Sequence, residues 1–278
     1  MRAILTILVC CGVLATIPQP LTASDKPAEA NDFRIVKGGR NVAEARLADP
    51  TQRYRHFVLG STYEAGSLFT RLKDGRTMKL SLPRSFVFED RLPRLADLDG
   101  DGRDEIVLVR SHADLGAALV VVGVVRDKLE IIAETPPTGR RHTWINPAGI
   151  ADFDGDGRLD IAYVQMPHVL GLLRLWTLRE GQLVEIASLP DTSNHKIGSR
   201  DIGLSAVADF DGDGIADLAI PTLDRQSLRF VTFKGGAREL RRVRLSSPAV
   251  TDFRVEIEAG GPVVIVGLGA GRTQAVRY

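Results

Sequence analysis

Three nearly identical nine-residue segments recur along the chain: Asp97-Leu-Asp-Gly-Asp-Gly-Arg-Asp-Glu105, Asp152-Phe-Asp-Gly-Asp-Gly-Arg-Leu-Asp160 and Asp209-Phe-Asp-Gly-Asp-Gly-Ile-Ala-Asp217. Each crowds at least four carboxylates into nine residues, and such groups repel one another strongly unless a cation sits between them. The copies begin 55 and then 57 residues apart. A regular period of that size marks an array of similar structural units, each carrying its own acidic turn.

Calcium suits this pattern. It takes six to eight hard oxygen ligands at roughly 2.3–2.6 Å, and Asp at alternate positions converges on one point as the backbone curls. The expected ligands are Asp97, Asp99, Asp101 and Glu105 in the first turn. Asp152, Asp154, Asp156 and Asp160 serve the second, and Asp209, Asp211, Asp213 and Asp217 the third. Position 7 offers only its backbone carbonyl, which is why Arg103, Arg158 and Ile215 all serve there. About three Ca2+ ions follow. An EF-hand needs a bidentate Glu at position 12, but Leu108, Tyr163 and Ile220 stand at that position. No helix follows either: Ile106–Val109, Ile161–Val164 and Leu218–Ile220 read as strands. The alternative is a set of polar Asp-Gly turns that bind nothing.

The pattern Ala-Asp-Phe-Asp-Gly-Asp-Gly-x-x-Asp-[Ile/Leu]-Ala resembles the FG-GAP or VCBS-type repeat of integrin alpha-subunit propellers and many secreted bacterial proteins. The resemblance covers roughly residues 94–250 and rests on the calcium turn, since the namesake Phe-Gly and Gly-Ala-Pro segments are absent. It implies an all-β fold, a β-propeller, with the calcium turn joining the first and second strands of each blade. It says little about function, because one fold hosts unrelated activities.

The N-terminus opens with Arg2, runs apolar from Ala3 to Ile17 and reaches Leu21-Thr-Ala23, the plan of a secretory signal peptide over residues 1–23. Its apolar run is shorter than the ~20 residues of a membrane-spanning helix. Cys10 and Cys11 leave with it, so calcium rather than disulfides would staple the mature chain. Without Arg2, 35 basic residues face 35 acidic ones, a balance that argues against nonspecific nucleic-acid binding. The expected localisation is periplasmic or secreted, with no membrane span after cleavage. Residues 24–32 read as a flexible lead-in and 33–278 as a single propeller domain.

The remaining length allows five four-stranded blades. Arg46–Asp49 echoes Arg94–Asp97 and Arg55–Ser61 echoes the strand after it, suggesting a first blade whose calcium turn has decayed. Ser67–Lys73 and Thr77–Leu82 form a hairpin around Asp74-Gly75. The last blade lacks a fourth strand, and Phe33–Lys37 is expected to supply it and close the ring.

Strand counting places a second group of residues at the end away from the acidic turns: His112, Arg141, His142, Trp144, Asn146, His168, Asn194, His195, Arg200 and Arg225. Such side chains could bind a glycan, a small anionic ligand or an extracytoplasmic protein, with Arg giving bidentate contacts and Trp144 stacking on a sugar ring. The bland alternative is ordinary polar loop residues. The functional expectation is therefore a non-catalytic binding module. Its rival is a hydrolase or lyase acting on a glycan or phosphoester through the histidine-bearing end. The carboxylates near that end, Asp114, Asp201, Asp224 and Glu89, are few, and no nucleophile elbow, zinc motif or phosphate loop occurs.

Overall fold

The computed structural model describes residues 33–278, which are built of antiparallel strands with no helix. The expected signal peptide, 1–23, and the lead-in, 24–32, lie outside the described residues. Among the described residues no helix is long and apolar enough to cross a membrane.

Twenty strands follow one another as short meanders. The first set is β1 (Val36–Lys37), β2 (Val42–Thr51), β3 (Glu64–Leu72) and β4 (Thr77–Ser81). A short strand, β5 (Phe86–Phe88), then bridges β3 to the next set, β6 (Arg94–Ala96), β7 (Glu105–His112), β8 (Gly116–Val125) and β9 (Lys128–Glu134). Through β5 these two sets join into one nine-stranded sheet. Two four-stranded sheets follow: β10 (Ile145–Ala151), β11 (Asp160–Gln165), β12 (Leu172–Arg179), β13 (Gln182–Leu189), then β14 (Ala206–Ala208), β15 (Asp217–Pro221), β16 (Ser227–Thr232), β17 (Arg238–Arg244). The last sheet has three strands, β18 (Thr251–Glu258), β19 (Gly261–Gly269) and β20 (Arg272–Arg277). None of the sheets closes on itself.

The strands after each acidic turn form as their sequences dictate. β-branched and apolar runs such as Ile106–Val109 and Leu119–Val122 are buried on both faces, because sheets pack against sheets on either side. β10 lies against β14, and β14 against β18, so the first strands of successive sheets stand side by side. Side chains between the sheets fuse into shared cores, one of which joins Val107, Leu119, Ile161, Tyr163 and Trp176. Trp176, 6% exposed, is a packing residue.

Three expectations about the ends of the chain are corrected. β1 pairs with β2, Val36 opposite Ala45, so the N-terminal strand completes its own sheet and not the last one. The turn Gly38-Gly39-Arg40-Asn41 folds β1 straight back onto β2, and its Gly38 N–H donates to Ala43 O at 3.1 Å. Arg46–Asp49 lies in the middle of the ten-residue β2, not before a decayed calcium turn. Arg55–Ser61 is a connecting loop, not a strand. Arg55 and Phe57 hold φ of 60° and 55° there, a left-handed conformation incompatible with extended pairing. The Ser67–Leu82 hairpin is present as β3 and β4.

Candidate functional site

The three acidic turns join β6 to β7, β10 to β11 and β14 to β15, all at the same end of their sheets. Each curls because both of its glycines adopt positive φ: Gly100 and Gly102 at 79° and 85°, Gly155 and Gly157 at 82° and 86°, Gly212 and Gly214 at 80° and 86°. Any side chain would resist that conformation. The curl is fixed by a repeated set of backbone donors. The Gly N–H at position 6 reaches the first carboxylate at 3.0, 2.9 and 2.9 Å in Asp97, Asp152 and Asp209. The N–H at position 5 donates to the third-position carboxylate in every copy. The N–H at position 2 (Leu98, Phe153, Phe210) donates to the position-9 carboxylate at 2.8, 3.1 and 3.1 Å.

What the backbone leaves unsatisfied is more telling. Asp160 and Asp217 are fully buried, yet Oδ1 of each accepts no hydrogen bond. Burial, reinforced by neighbouring Asp154 and Asp156, pushes the Asp160 carboxyl up to about 6. Burial likewise raises Asp217, and it lifts Glu105 to about 7 with help from Asp99, Asp101 and Asp97. A buried carboxylate oxygen without a partner is costly, and a hard cation is the group that such an oxygen cluster fits. Ligand atoms of Asp152, Asp154 and Asp160 lie within 4.8 Å of one another, as do those of Asp209, Asp211 and Asp217. In the first turn the converging trio is Asp97, Asp99 and Asp101. Position 5 differs among the copies: Asp156 pairs with Arg179 at 3.3 Å and Asp213 with Lys234 at 3.0 Å. The converging trios of the second and third turns accordingly leave these two out.

The opposite end gathers side chains from several connections. Glu89, 1% exposed, accepts from His56 Nδ1–H at 2.6 Å and from Ser111 Oγ at 2.5 Å. His56 stacks on His142 with ring centroids 4.9 Å apart and planes 6° from parallel. Tyr54 packs edge-on against both, and its hydroxyl accepts from His142 N–H at 3.0 Å. Beside them, His195 Nε2–H donates to the Ser199 carbonyl at 3.1 Å. That bond fixes the tautomer, so His195 Nδ1 accepts from His168 Nε2–H at 2.8 Å. Burial pushes His168 down to about 3 and His195 to about 4, which keeps both neutral near pH 7.

Trp144, His168 and His195 are therefore brought together, with His142 and His56 adjacent. The Trp144 ring is 3% exposed, lies against both His168 and His195, and donates its indole N–H to Glu89 O at 2.9 Å. It has no open face for a sugar. Asn146 and Asn194 are fully buried and clasp each other's backbone: Asn146 Nδ2 donates to Asn194 O, and Asn194 Nδ2 to Asn146 O, each at 3.0 Å. They staple β10 to the 190–205 connection. Arg141 is exposed beside His142, Arg200 is exposed, and half-buried Arg225 donates to Ala249 O at 3.2 Å. His112 stands apart, its ring against Phe86 and its Nδ1 accepting from the Asp114 and Leu115 N–H groups. Tyr54, His56 and Ser111 complete the group without having been singled out by the sequence. The sequence places His56 in a strand, and only the irregular 52–63 connection carries it here.

A sequence model described as an FG-GAP-like repeat matches residues 97–163 and 152–220, a span that contains all three acidic turns. Among solved structures, the rhamnogalacturonan lyase of Bacillus licheniformis is similar at 14% identity and a TM-score of 0.53, over 84% of this chain and 46% of the lyase. Rhamnogalacturonan lyase YesW is similar at 14% identity and a TM-score of 0.53, over 88% of this chain and 51% of that one. The chain thus spans about half the length of these structures, and at such identity the likeness concerns the fold alone. No curated protein sequence matches it. With the repeat match covering every acidic turn, the chain is an FG-GAP-type repeat protein.

Proposed function

We propose that the chain is a calcium-stabilised β-propeller of five blades that serves outside the cytoplasm as a non-catalytic binding module. The observation that carries the calcium reading is the buried, unpartnered carboxylate oxygen that recurs in the turns, on Asp160 and Asp217, and on Asp97 in the first. Two buried Asp residues with the same orphaned atom, one period apart, are hard to explain as mere turns. The five-blade reading is supported by the five successive meanders and by the adjacent first strands of the last three. At the other end the buried polar groups are largely engaged with one another, which suits a rigid docking surface better than a reactive pocket. The test is a thermal melt with EGTA and then with millimolar calcium, read beside bound metal by mass spectrometry. A large upward shift with about three ions bound supports the reading; a melt indifferent to calcium with no metal bound defeats it.

One arrangement favours the second reading, a glycan lyase or hydrolase. A buried carboxylate on His56 Nδ1–H leaves Nε2 with a lone pair, the arrangement of an oriented general base, and the similar folds include two rhamnogalacturonan lyases. In a lyase step that nitrogen would take the proton beside a uronate carboxylate while the glycosidic oxygen leaves with a proton from an acid. Incubation with rhamnogalacturonan, followed by the absorbance of unsaturated uronate ends, decides between the readings. Turnover abolished in His56→Ala would establish the enzyme; no product with the calcium-loaded chain would remove it for that substrate.

A further inference from the structure

The end opposite the acidic turns exposes aliphatic side chains at its loop apices: Val169 at 74%, Ile197 at 66% and Leu170 at 44%. These apices are held stiffly. The N–H groups of Val169, Leu170 and Gly171 all converge on Met166 O at 3.0 Å. The Ile197 turn is closed by Ser199 N–H on Lys196 O at 2.9 Å, and Gly198 N–H pins it to Val58 O at 2.9 Å. The His168–His195 hydrogen bond ties the two apices together. By contrast Ile257, 79% exposed, stands in β18, where the neighbouring exposed side chains are Glu256 and Glu258.

Charge is distributed unevenly around these tips. The connections 52–63, 135–144 and 166–171 contain no carboxylate at all, while Arg55, Arg140 and Arg141 stand exposed on them. Lys196 is exposed beside Ile197. Of the exposed carboxylates of this end, Asp114 and Asp224 lie on other connections, whereas Asp191 shares the 190–205 connection with Lys196 and Ile197, as does half-buried Asp201. Asp191 faces Arg242 at 3.4 Å, and Asp224 accepts from Thr222 Oγ1 at 2.6 Å.

We propose that this end docks on an anionic lipid surface, with Val169, Leu170 and Ile197 entering the headgroup boundary and the four basic side chains meeting lipid phosphates. The reading names the partner of the binding end described above and rests on that binding role. Aliphatic side chains on separate stiff apices, with Arg and Lys exposed on connections at the same end, match interfacial insertion. The core of a protein interface is instead enriched in aromatic residues, and here the aromatic rings of Tyr54 and Trp144 are buried. Each basic residue close to an anionic surface raises partition by about five-fold, so the four together give reversible, salt-sensitive binding.

Every described strand lies within 33–278, so a chain beginning at Ser24 keeps the whole fold. That chain, loaded with calcium, is sedimented with vesicles of phosphatidylcholine mixed with phosphatidylglycerol, and with phosphatidylcholine alone. The expected result is binding to the mixed vesicles, lost at high salt and at least ten-fold weaker on phosphatidylcholine. Val169→Asp with Ile197→Asp, and separately Arg140→Glu with Arg141→Glu, each weaken it at least ten-fold while the melt in calcium stays unchanged. No sedimentation of the parent chain overturns the proposal. Binding that survives both double variants also overturns it, since the contact would then be made elsewhere, for example by calcium bridging at the acidic end. A chain that binds vesicles but shows no calcium-dependent melt separates failure of the calcium reading from failure of this one.

Discussion

At one end of the sheets Asp160 and Asp217 are fully buried with an oxygen each left unpartnered; at the other, buried Glu89 and the His168–His195 pair close on neighbours within the protein. Both ends bury ionisable groups, and the consequences differ in sign. The carboxylates are raised by burial, so they favour a proton or a cation from outside. The imidazoles are lowered by burial, so they stay neutral and need nothing added. The acidic end converges its unpartnered carboxylate oxygens on common points, whereas the other end holds Glu89 and its histidines within the protein, although Glu64 Oε2, Asn146 Oδ1 and Asn194 Oδ1 stay unpartnered there. The acidic end is also the repetitive one, because one metal-ready turn can be copied intact while an interlocked group of unlike residues cannot.

The largest expected effect tests that hold on Glu89. His56→Ala removes the ring that donates to Glu89 and leaves the carboxylate only Ser111 Oγ among the side-chain donors seen. Leaving a buried carboxylate short of a donor costs upward of about 3 kcal/mol, more than for a neutral acceptor. Chemical denaturation should show a loss near that figure and not far above it, because His56 is partly exposed. Glu89→Gln together with His56→Ala should recover part of it. A single variant as stable as the parent would mean that water, not His56, satisfies Glu89.

The next effect concerns the acidic end and changes sign with the metal. In saturating calcium, Asp160→Asn should lose one bound ion and about 2–3 kcal/mol, the linkage expected at about a hundred-fold excess over the dissociation constant. In EGTA the same variant should be no less stable than the parent, since it removes an uncompensated buried charge. Denaturant titrations in both buffers check this, with bound calcium counted alongside. Equal destabilisation in both would show that Asp160 matters only through its bond from Phe153 N–H.

How much of this was legible in the sequence follows the same division. The nine-residue motif carried its own geometry: glycines at positions 4 and 6 adopt the curl in all three copies, and the strands after each turn form where the apolar runs stand. The N-terminal strand was misassigned although a signal was present. Gly38-Gly39 marks a tight turn, and that turn sends β1 back onto β2 instead of across to the last sheet. The opposite end was only half visible. Counting strands delivered His142, Trp144, His168 and His195 to one place, but not their roles, because burial of Trp144 and Asn146 depends on which loops cover them. His56 was missed because His-Phe-Val-Leu reads as strand by propensity, while left-handed Arg55 and Phe57 make it a loop. Nor does any local pattern announce β5, whose residues pair with both β3 and β7.

A smaller effect follows from the imidazoles. Their folded values near 3 and 4 lie below the ordinary 6.5, so the unfolded chain binds protons first as the pH falls. Their contribution is intact above about pH 6.5 and is lost progressively toward pH 4. In saturating calcium the melting temperature should fall by about 5 °C between pH 7 and 5. His168→Gln should flatten that slope, the remaining dependence belonging to His195. A slope unchanged in the variant would assign the acid sensitivity to the carboxylate end and erase the contrast between the two.

The smallest effect lies within the acidic end, where the first turn departs from its two copies. Across the strand pair Asp160 faces Thr177. Glu105 carries a longer side chain than Asp160 and Asp217, while its ladder partner Ala96 matches the Ala151 and Ala208 opposite them. The built-in cations also differ: Arg179 and Lys234 hold Asp156 and Asp213, which stand outside the converging trios, whereas Arg40, from the β1–β2 turn, bonds Asp104 at 3.0 Å and lies 3.6 Å from Asp97, a member of the first trio. A guanidinium there competes with calcium for the same negative field, although its half-exposed position and salt screening keep the effect modest. Arg40→Ala should therefore tighten calcium at the first turn by about two- to five-fold while leaving the other two unchanged. It should also lower the stability of the calcium-free chain slightly, as Asp104 loses its partner. Calorimetric titration of the single variant, repeated in the Asp99→Ala background that silences the first turn, isolates the change. If the tightening persists when the first turn is silenced, Arg40 acts on the fold at large and the three turns are equivalent after all.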